Sequence, residues 1–188
     1  MEFLRSKIKE EGRVINATTL KVDSFLNHQL DPQLMLEMGK EFKKRFEGKG
    51  INKILTIEAS GIAIGIMAGL AFDVPVVFAK KKKPSTMSDM YCTTVHSFTK
   101  KIDYDICLSK EFLKPGDRVL VVDDFLAMGN AIIGLEKIVA EAGAELCGVG
   151  IAIEKGFQEG GRIIRDRGIH LESLAILDTM EKDEVKFL

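Results

Sequence analysis

The chain has 188 residues, of which 46% are hydrophobic and 29% charged, and its net charge is −1. That balance suits one soluble globular domain spanning residues 1–188, with a sizeable core and no global basic field to draw nucleic acid. No apolar run approaches the length of a membrane span, and the charged start MEFLRSKIKEEGR lacks the apolar centre of a signal peptide. The three scattered cysteines, Cys92, Cys107 and Cys147, form no CxxC pair and suggest neither a disulfide scaffold nor a zinc site, so a reducing cytoplasm is the simplest setting.

MEFLRSKIKEEG reads as a short amphipathic helix ended by Gly12, and KVDSFLNHQLDP as an irregular stretch closing on a proline. In PQLMLEMGKEFKKRFEGKG, Leu34, Met38, Phe42 and Phe46 recur four apart, which predicts a helix with one apolar face. The next stretch divides into a strand at Lys53–Ile57, a loop at 58–61, a helix at 62–72 and a strand at 75–79. Such a βαβ unit with short connections predicts a parallel sheet. KKKKPSTMSDMYCTTVHSFTKK is polar and hydroxyl-rich and reads as a mobile hairpin or long loop, with a strand near residues 104–108. A strand at 118–122, a helix at 131–142, the buried strand LCGVGIAIE, a short helix RIIRDRG and a last strand HLESLAIL complete the alternation. The class is α/β, a doubly wound sheet, in which ligands bind beyond the carboxyl ends of the strands.

VLVVDDFLAMGNA carries the strongest chemical signal. Four apolar residues run into two adjacent carboxylates, which repel each other and are costly to bury. The small residues Ala127, Gly129 and Ala131 then lead into a helix, where backbone N–H groups can approach an anion. A phosphate on that loop and a diol on Asp123 and Asp124 satisfy both halves; a strand-end helix cap and a magnesium-binding phosphoacceptor pocket are the alternatives. Glu58-Ala59-Ser60-Gly61 stands at an earlier strand end and offers either a second anion site or an ordinary serine cap. Lys80-Lys81-Lys82-Lys83 follows the strand VVFA, and Lys155 ends another strand; each is either a cleft cation or a solvated one. His28, His96 and His170 form no cluster.

An apolar strand, Asp-Asp, a short glycine turn and a helix resemble the diphosphoribosyl-binding motif of the type I phosphoribosyltransferase family. The resemblance covers nearly the whole chain, because LKVDSFLNHQ, EASGI, VDDFLAMGNA and IEKGFQ occur in order, and it is closest to the bacterial branch that uses xanthine. It implies a largely parallel central sheet flanked by helices, a small hood from the N-terminal segment and a flexible loop. It implies purine salvage, with the 5-phosphoribosyl group passing from phosphoribosyl diphosphate to N9 of xanthine to give xanthosine 5'-monophosphate and diphosphate. Guanine or hypoxanthine as the main base stays open, as does a non-catalytic phosphoribosyl diphosphate sensor of the same fold.

The resemblance also assigns roles. Asp123 and Asp124 hold the ribose hydroxyls, and Ala127, Met128, Gly129, Asn130 and Ala131 wrap the 5'-phosphate. Ala59, Ser60, Gly61 and Lys81 meet the diphosphate, and Leu20, Asn27 and Lys155 contact the xanthine. Met128 and Ala131 stand where many members carry threonines, so backbone amides carry more of the phosphate binding. Magnesium is implied, bound mainly through phosphoribosyl diphosphate rather than by protein ligands. A closing segment at residues 85–100, a cytoplasmic location and a homodimer are implied as well, with no nucleic-acid or membrane partner.

Overall fold

The computed structural model describes residues 1–82, 89–97, 102–181 and 184–188. The chain opens with helix α1 (Glu2–Glu11), strands β1 (Arg13–Asn16) and β2 (Thr19–Lys21), a π-helical turn (Asp23–Asn27) and α2 (Pro32–Arg45). Then come β3 (Lys53–Ile57), α3 (Gly61–Phe72), β4 (Val76–Ala79), β5 (Met90–Ser97), β6 (Ile102–Ser109) and β7 (Arg118–Leu126). It ends with α4 (Asn130–Glu141), β8 (Glu145–Lys155), α5 (Gly160–Asp166), β9 (Leu171–Glu181) and β10 (Glu184–Phe187).

Six strands form the central sheet in the order β10-β9-β8-β7-β3-β4. All neighbours are parallel except β10, which returns antiparallel to β9. Consecutive residues of the apolar runs feed opposite cores. Ile54, Leu120 and Val122 pack with Leu34, Met38 and Phe42 of α2 and with Ile64 and Phe72 of α3. Leu55, Val119 and Val121 pack with Ile132, Leu135 and Ile138 of α4 on the other face. This two-sided burial is why the strands read as continuous hydrophobic runs rather than as alternating patterns.

Several sequence expectations change. The strand through the acid pair does not stop at residue 122: β7 continues to Leu126, because Asp123 and Phe125 still pair with Ile151 and Ile153 of β8. The N-terminal segment contains the two-stranded β1–β2 ribbon, and β10 adds an edge strand after the one expected to be last. Part of the expected mobile segment is ordered. Residues 90–97 pair with β6 along their whole length, and Tyr91, Val95 and Ile106 are buried in the core cluster that includes α4. Residues 83–88 and 98–101, which hold the rest of the expected closing segment, lie outside the described residues. Cys92 and Cys107 face each other directly in this ribbon and are joined by a disulfide, against the expectation of no bridge. Their separation of 15 in sequence carried no trace of that register.

Candidate active site

The carboxyl ends of β3 and β7 lie side by side, and they bring two of the expected motifs into contact. Asp123 is 6% exposed rather than open at a strand end, and Thr56 of β3 is fully buried beside it. Gly61, the first residue of α3, fits against both: a Cβ there would stand 2.1 Å from Thr56 Oγ1 and 2.9 Å from Asp123 Oδ1. Only a residue without a side chain lets the loop after β3 settle on the aspartate. Burial, and then the neighbouring charge of Asp124, push the Asp123 carboxyl well above its ordinary range. Asp124 is raised too, again chiefly by burial. The Asp124 amide donates to Asp123 Oδ1 at 3.0 Å, and Lys81 pulls both carboxyls back toward ionisation. An acid pair kept this short of compensation is poised for hydroxyl donors or a cation.

Two helix N-termini adjoin this pair, that of α3 in space through Gly61 and that of α4 in the chain after β7. Ser60 occupies the N-cap position of α3, and Gly129, with φ of 84°, that of α4; neither helix has a side-chain cap. By contrast, the N-cap Asp31 of α2 accepts from the amides of Gln33 and Leu34. Ser60 is therefore not an ordinary cap, and the amides of both helix starts are left for an anion. The Glu58–Ala59 peptide leading into α3 is cis. Asn130, the first residue of α4, donates from Nδ2 to the backbone oxygen of His96 at 2.9 Å, which ties that helix start to β5.

Two lysines separate from the solvated background. The Glu58 carboxylate accepts the Lys81 amide at 2.7 Å, so Lys81 is anchored to the loop before α3 while its side chain is exposed. Lys155 donates to the backbone oxygen of Thr18, in the β1–β2 turn, at 2.7 Å, and its ammonium stands 5.6 Å from the Phe125 ring centre. Burial lowers the Lys155 ammonium, and Asp124 opposes that shift. The hood thus leans on the same end of the sheet. Leu20 follows Thr18 by two residues and is buried in the core under the hood, at 6% exposure. Asn27 ends the π-helical turn with an exposed side chain.

The structure accordingly gathers Gly61, Asp123, Asp124, Lys81 and Lys155 around one sheet end. It adds groups that pattern reading missed: Thr56, the Thr18 carbonyl, and Tyr104 of β6, whose phenol is raised by burial and by the charge of Asp123. A backbone carbonyl or a buried threonine leaves no mark in a spacing pattern. Glu58 belongs to the EASGI motif, but its service to Lys81 depends on tertiary contact.

Residues 31–163 match the phosphoribosyl transferase domain, and the chain belongs to that family. It is 56% identical to xanthine phosphoribosyltransferase of Moorella thermoacetica, over 100% of this chain and 96% of the relative. It is 55% identical to xanthine phosphoribosyltransferase 1 of Clostridium perfringens, over 100% of both chains. Its fold is similar to the crystal structure of adenine phosphoribosyltransferase from Rhodothermus marinus, with a TM-score of 0.75 at 22% identity, covering 94% of this chain and 100% of the other.

Proposed function

We propose that this chain, acting as one domain, is a xanthine phosphoribosyltransferase of purine salvage. N9 of the base attacks C1 of phosphoribosyl diphosphate, the C1–O bond to diphosphate breaks, and xanthosine 5'-monophosphate forms. The observation that carries this reading is the Gly61–Asp123 contact, because it puts one uncapped helix start against the buried acid pair, while the second uncapped start follows the pair directly in the chain. A ligand carrying an anion at each end and hydroxyls between them fits that order. The full-length likeness to enzymes named for xanthine supports the choice of base.

Asp123 and Asp124 orient the ribose hydroxyls and stabilise positive charge as it grows on C1. The amides of 127–131 hold the 5'-phosphate; Ala59, Ser60 and Gly61 hold the diphosphate, with the Lys81 ammonium as countercharge. Leu20 covers the base, and Asn27 and Lys155 read its polar edges, so Lys155 exchanges the Thr18 carbonyl for a base oxygen. Among the described residues, no group of three or more His, Cys, Asp or Glu is placed to hold a metal ion. The raised acid pair nevertheless fits magnesium held mainly by diphosphate and ribose oxygens, where it would neutralise leaving-group charge. The apolar outer face of α3, with Ile66 at 53% and Leu70 at 68% exposure, supports a homodimer.

Diphosphate release, measured in parallel with xanthine, guanine, hypoxanthine and adenine in the presence of phosphoribosyl diphosphate and magnesium, tests this reading. Fastest turnover with xanthine is expected. Release with none of the four would leave a binding protein, and a preference for guanine or hypoxanthine would move the base assignment.

A further inference from the structure

Glu154 and Lys155 are neighbours on β8. Lys155 reaches toward the hood, whereas Glu154 is buried at 3% exposure against α5. A carboxylate in such a place needs strong partners. Arg165 of α5 supplies two bonds, Nη1 to Oε1 at 2.7 Å and Nη2 to Oε2 at 2.8 Å. The Ser173 hydroxyl of β9 donates to Oε2. Burial pushes the Glu154 carboxyl up, but Arg165 and Ser173 outweigh burial and leave it below its ordinary value. A bidentate guanidinium fixes angle as well as distance, so α5 cannot slide or roll on β8 without breaking both bonds.

The other end of α5 rests on the loop 127–131. Its first residue, Gly160, donates its N–H to the Ala127 oxygen at 2.9 Å. A Cβ at Gly160 would stand 2.3 Å from that oxygen and 2.8 Å from the Gly129 nitrogen. Only residues 156–159 separate Lys155 from Gly160. One short helix is thus pinned to the strand behind Lys155 and seated on the loop after the acid pair.

We propose that Glu154, Arg165 and Ser173 form a brace that holds Lys155 and the loop 127–131 at one fixed separation; this rests on the base and phosphate roles given to them above. The three are positioning residues with no substrate contact of their own. Transfer requires N9 and C1 to meet, and the two reactants are gripped by different elements, so an error in their spacing falls directly on the reacting atoms.

The test is steady-state kinetics of the full-length enzyme with xanthine and phosphoribosyl diphosphate. Arg165→Met should raise KM for both substrates and lower kcat/KM roughly tenfold to hundredfold while the enzyme remains folded. Arg165→Lys should recover little, because an ammonium cannot reproduce the fork. Gly160→Ala should raise KM for phosphoribosyl diphosphate more than KM for xanthine. In a Lys155→Met background, adding Arg165→Met should change KM for xanthine much less than it does in the wild type, since residues that act through one another are not additive. If Arg165→Met does not fold, Ser173→Ala removes one of the three bonds and carries the same comparison at smaller amplitude. Unchanged KM values in a folded variant, or equal effects in the two backgrounds, would overturn the brace. If Lys155→Met alone leaves KM for xanthine unchanged, the base-site reading falls instead, and KM for phosphoribosyl diphosphate in Arg165→Met still decides the brace.

Discussion

Asp123 and Asp124 are where function and stability pull apart. Both carboxyls are raised, chiefly by burial, so the folded state binds protons more readily there than the unfolded chain does. The sign follows: stability falls as pH rises from the ordinary carboxylate range through the folded pKa values, and the pair is a liability at neutral pH. Asp124→Asn should therefore fold, melt at or above the wild-type temperature at neutral pH, and lose that advantage as the solution is acidified. A charged hydrogen bond is worth roughly 1.5–3 kcal/mol, so turnover should drop about tenfold to hundredfold. Melting curves across pH, paired with turnover, check both halves; native stability with undiminished turnover would remove the aspartates from the mechanism. At the other rim of the site, Lys155→Met should weaken use of every 6-oxopurine and narrow the preference for xanthine over adenine. An ammonium donates to a 6-oxygen but meets a 6-amino group donor to donor, a mismatch of about 1–3 kcal/mol. Asn27→Ala should instead narrow the gap among xanthine, guanine and hypoxanthine. An unchanged xanthine-to-adenine ratio in Lys155→Met would make the lysine a surface group.

The junction of β3 and α3 shows how tightly the motif elements are fitted. Gly61→Ala would drive a methyl to 2.1 Å from Thr56 Oγ1 and 2.9 Å from Asp123 Oδ1. Overpacking of this kind costs about 1–3 kcal/mol, readable by urea denaturation, and it displaces the loop between β3 and α3 as well. Thr56→Ala should recover part of the loss, because Thr56 Oγ1 is buried without a hydrogen-bond partner and is the nearest obstacle. No recovery would mean that Asp123, not the hydroxyl, sets the limit. These elements were also the most legible ones. β3 runs over the five residues expected, since a strand buried on both faces is an apolar run with abrupt ends. The apolar pattern of β7 ends before the strand does, because carboxylates interrupt its hydrophobic run while its backbone stays paired with β8. The β1–β2 ribbon leaves no apolar pattern in the sequence, because six of its seven residues are not buried and its turn holds neither Gly nor Pro. Nothing in the sequence separates Lys81 from its neighbouring lysines; in the folded chain the Glu58 carboxylate on its amide does. The motif residues were readable; the groups that aim them belong to other elements and become visible only in the folded chain.

The molecule as a whole presents one face that folding alone does not explain. α3 is apolar on nearly every side, and Ile66 and Leu70, one turn apart, are 53% and 68% exposed. The neighbouring strand β4 is an edge of the sheet, and Phe78 at its end is 37% exposed. A cleft of about 420 Å³ opens beside it, lined by Phe78, Met90, Leu108 and Phe112, with Phe112 49% exposed. Exposed apolar groups gathered this way are what a protein–protein interface would cover. The proposed homodimer would cover it, and Lys80 and Lys81, which follow β4, would then lie near the partner. Leu70→Glu is the direct probe. The side chain is open in the single chain, so the substitution should shift stability of the isolated fold by only about 0.5 kcal/mol. Buried against a second copy, the same carboxylate would be unpaired and should prevent association. Light scattering on the purified protein is expected to give the mass of two chains for the wild type and of one for Leu70→Glu. Turnover should fall with the mass, because β4 ends at Ala79, two residues before Lys81. Two chains in both samples would put the interface elsewhere, and a monomeric wild type would leave the apolar face without the proposed partner.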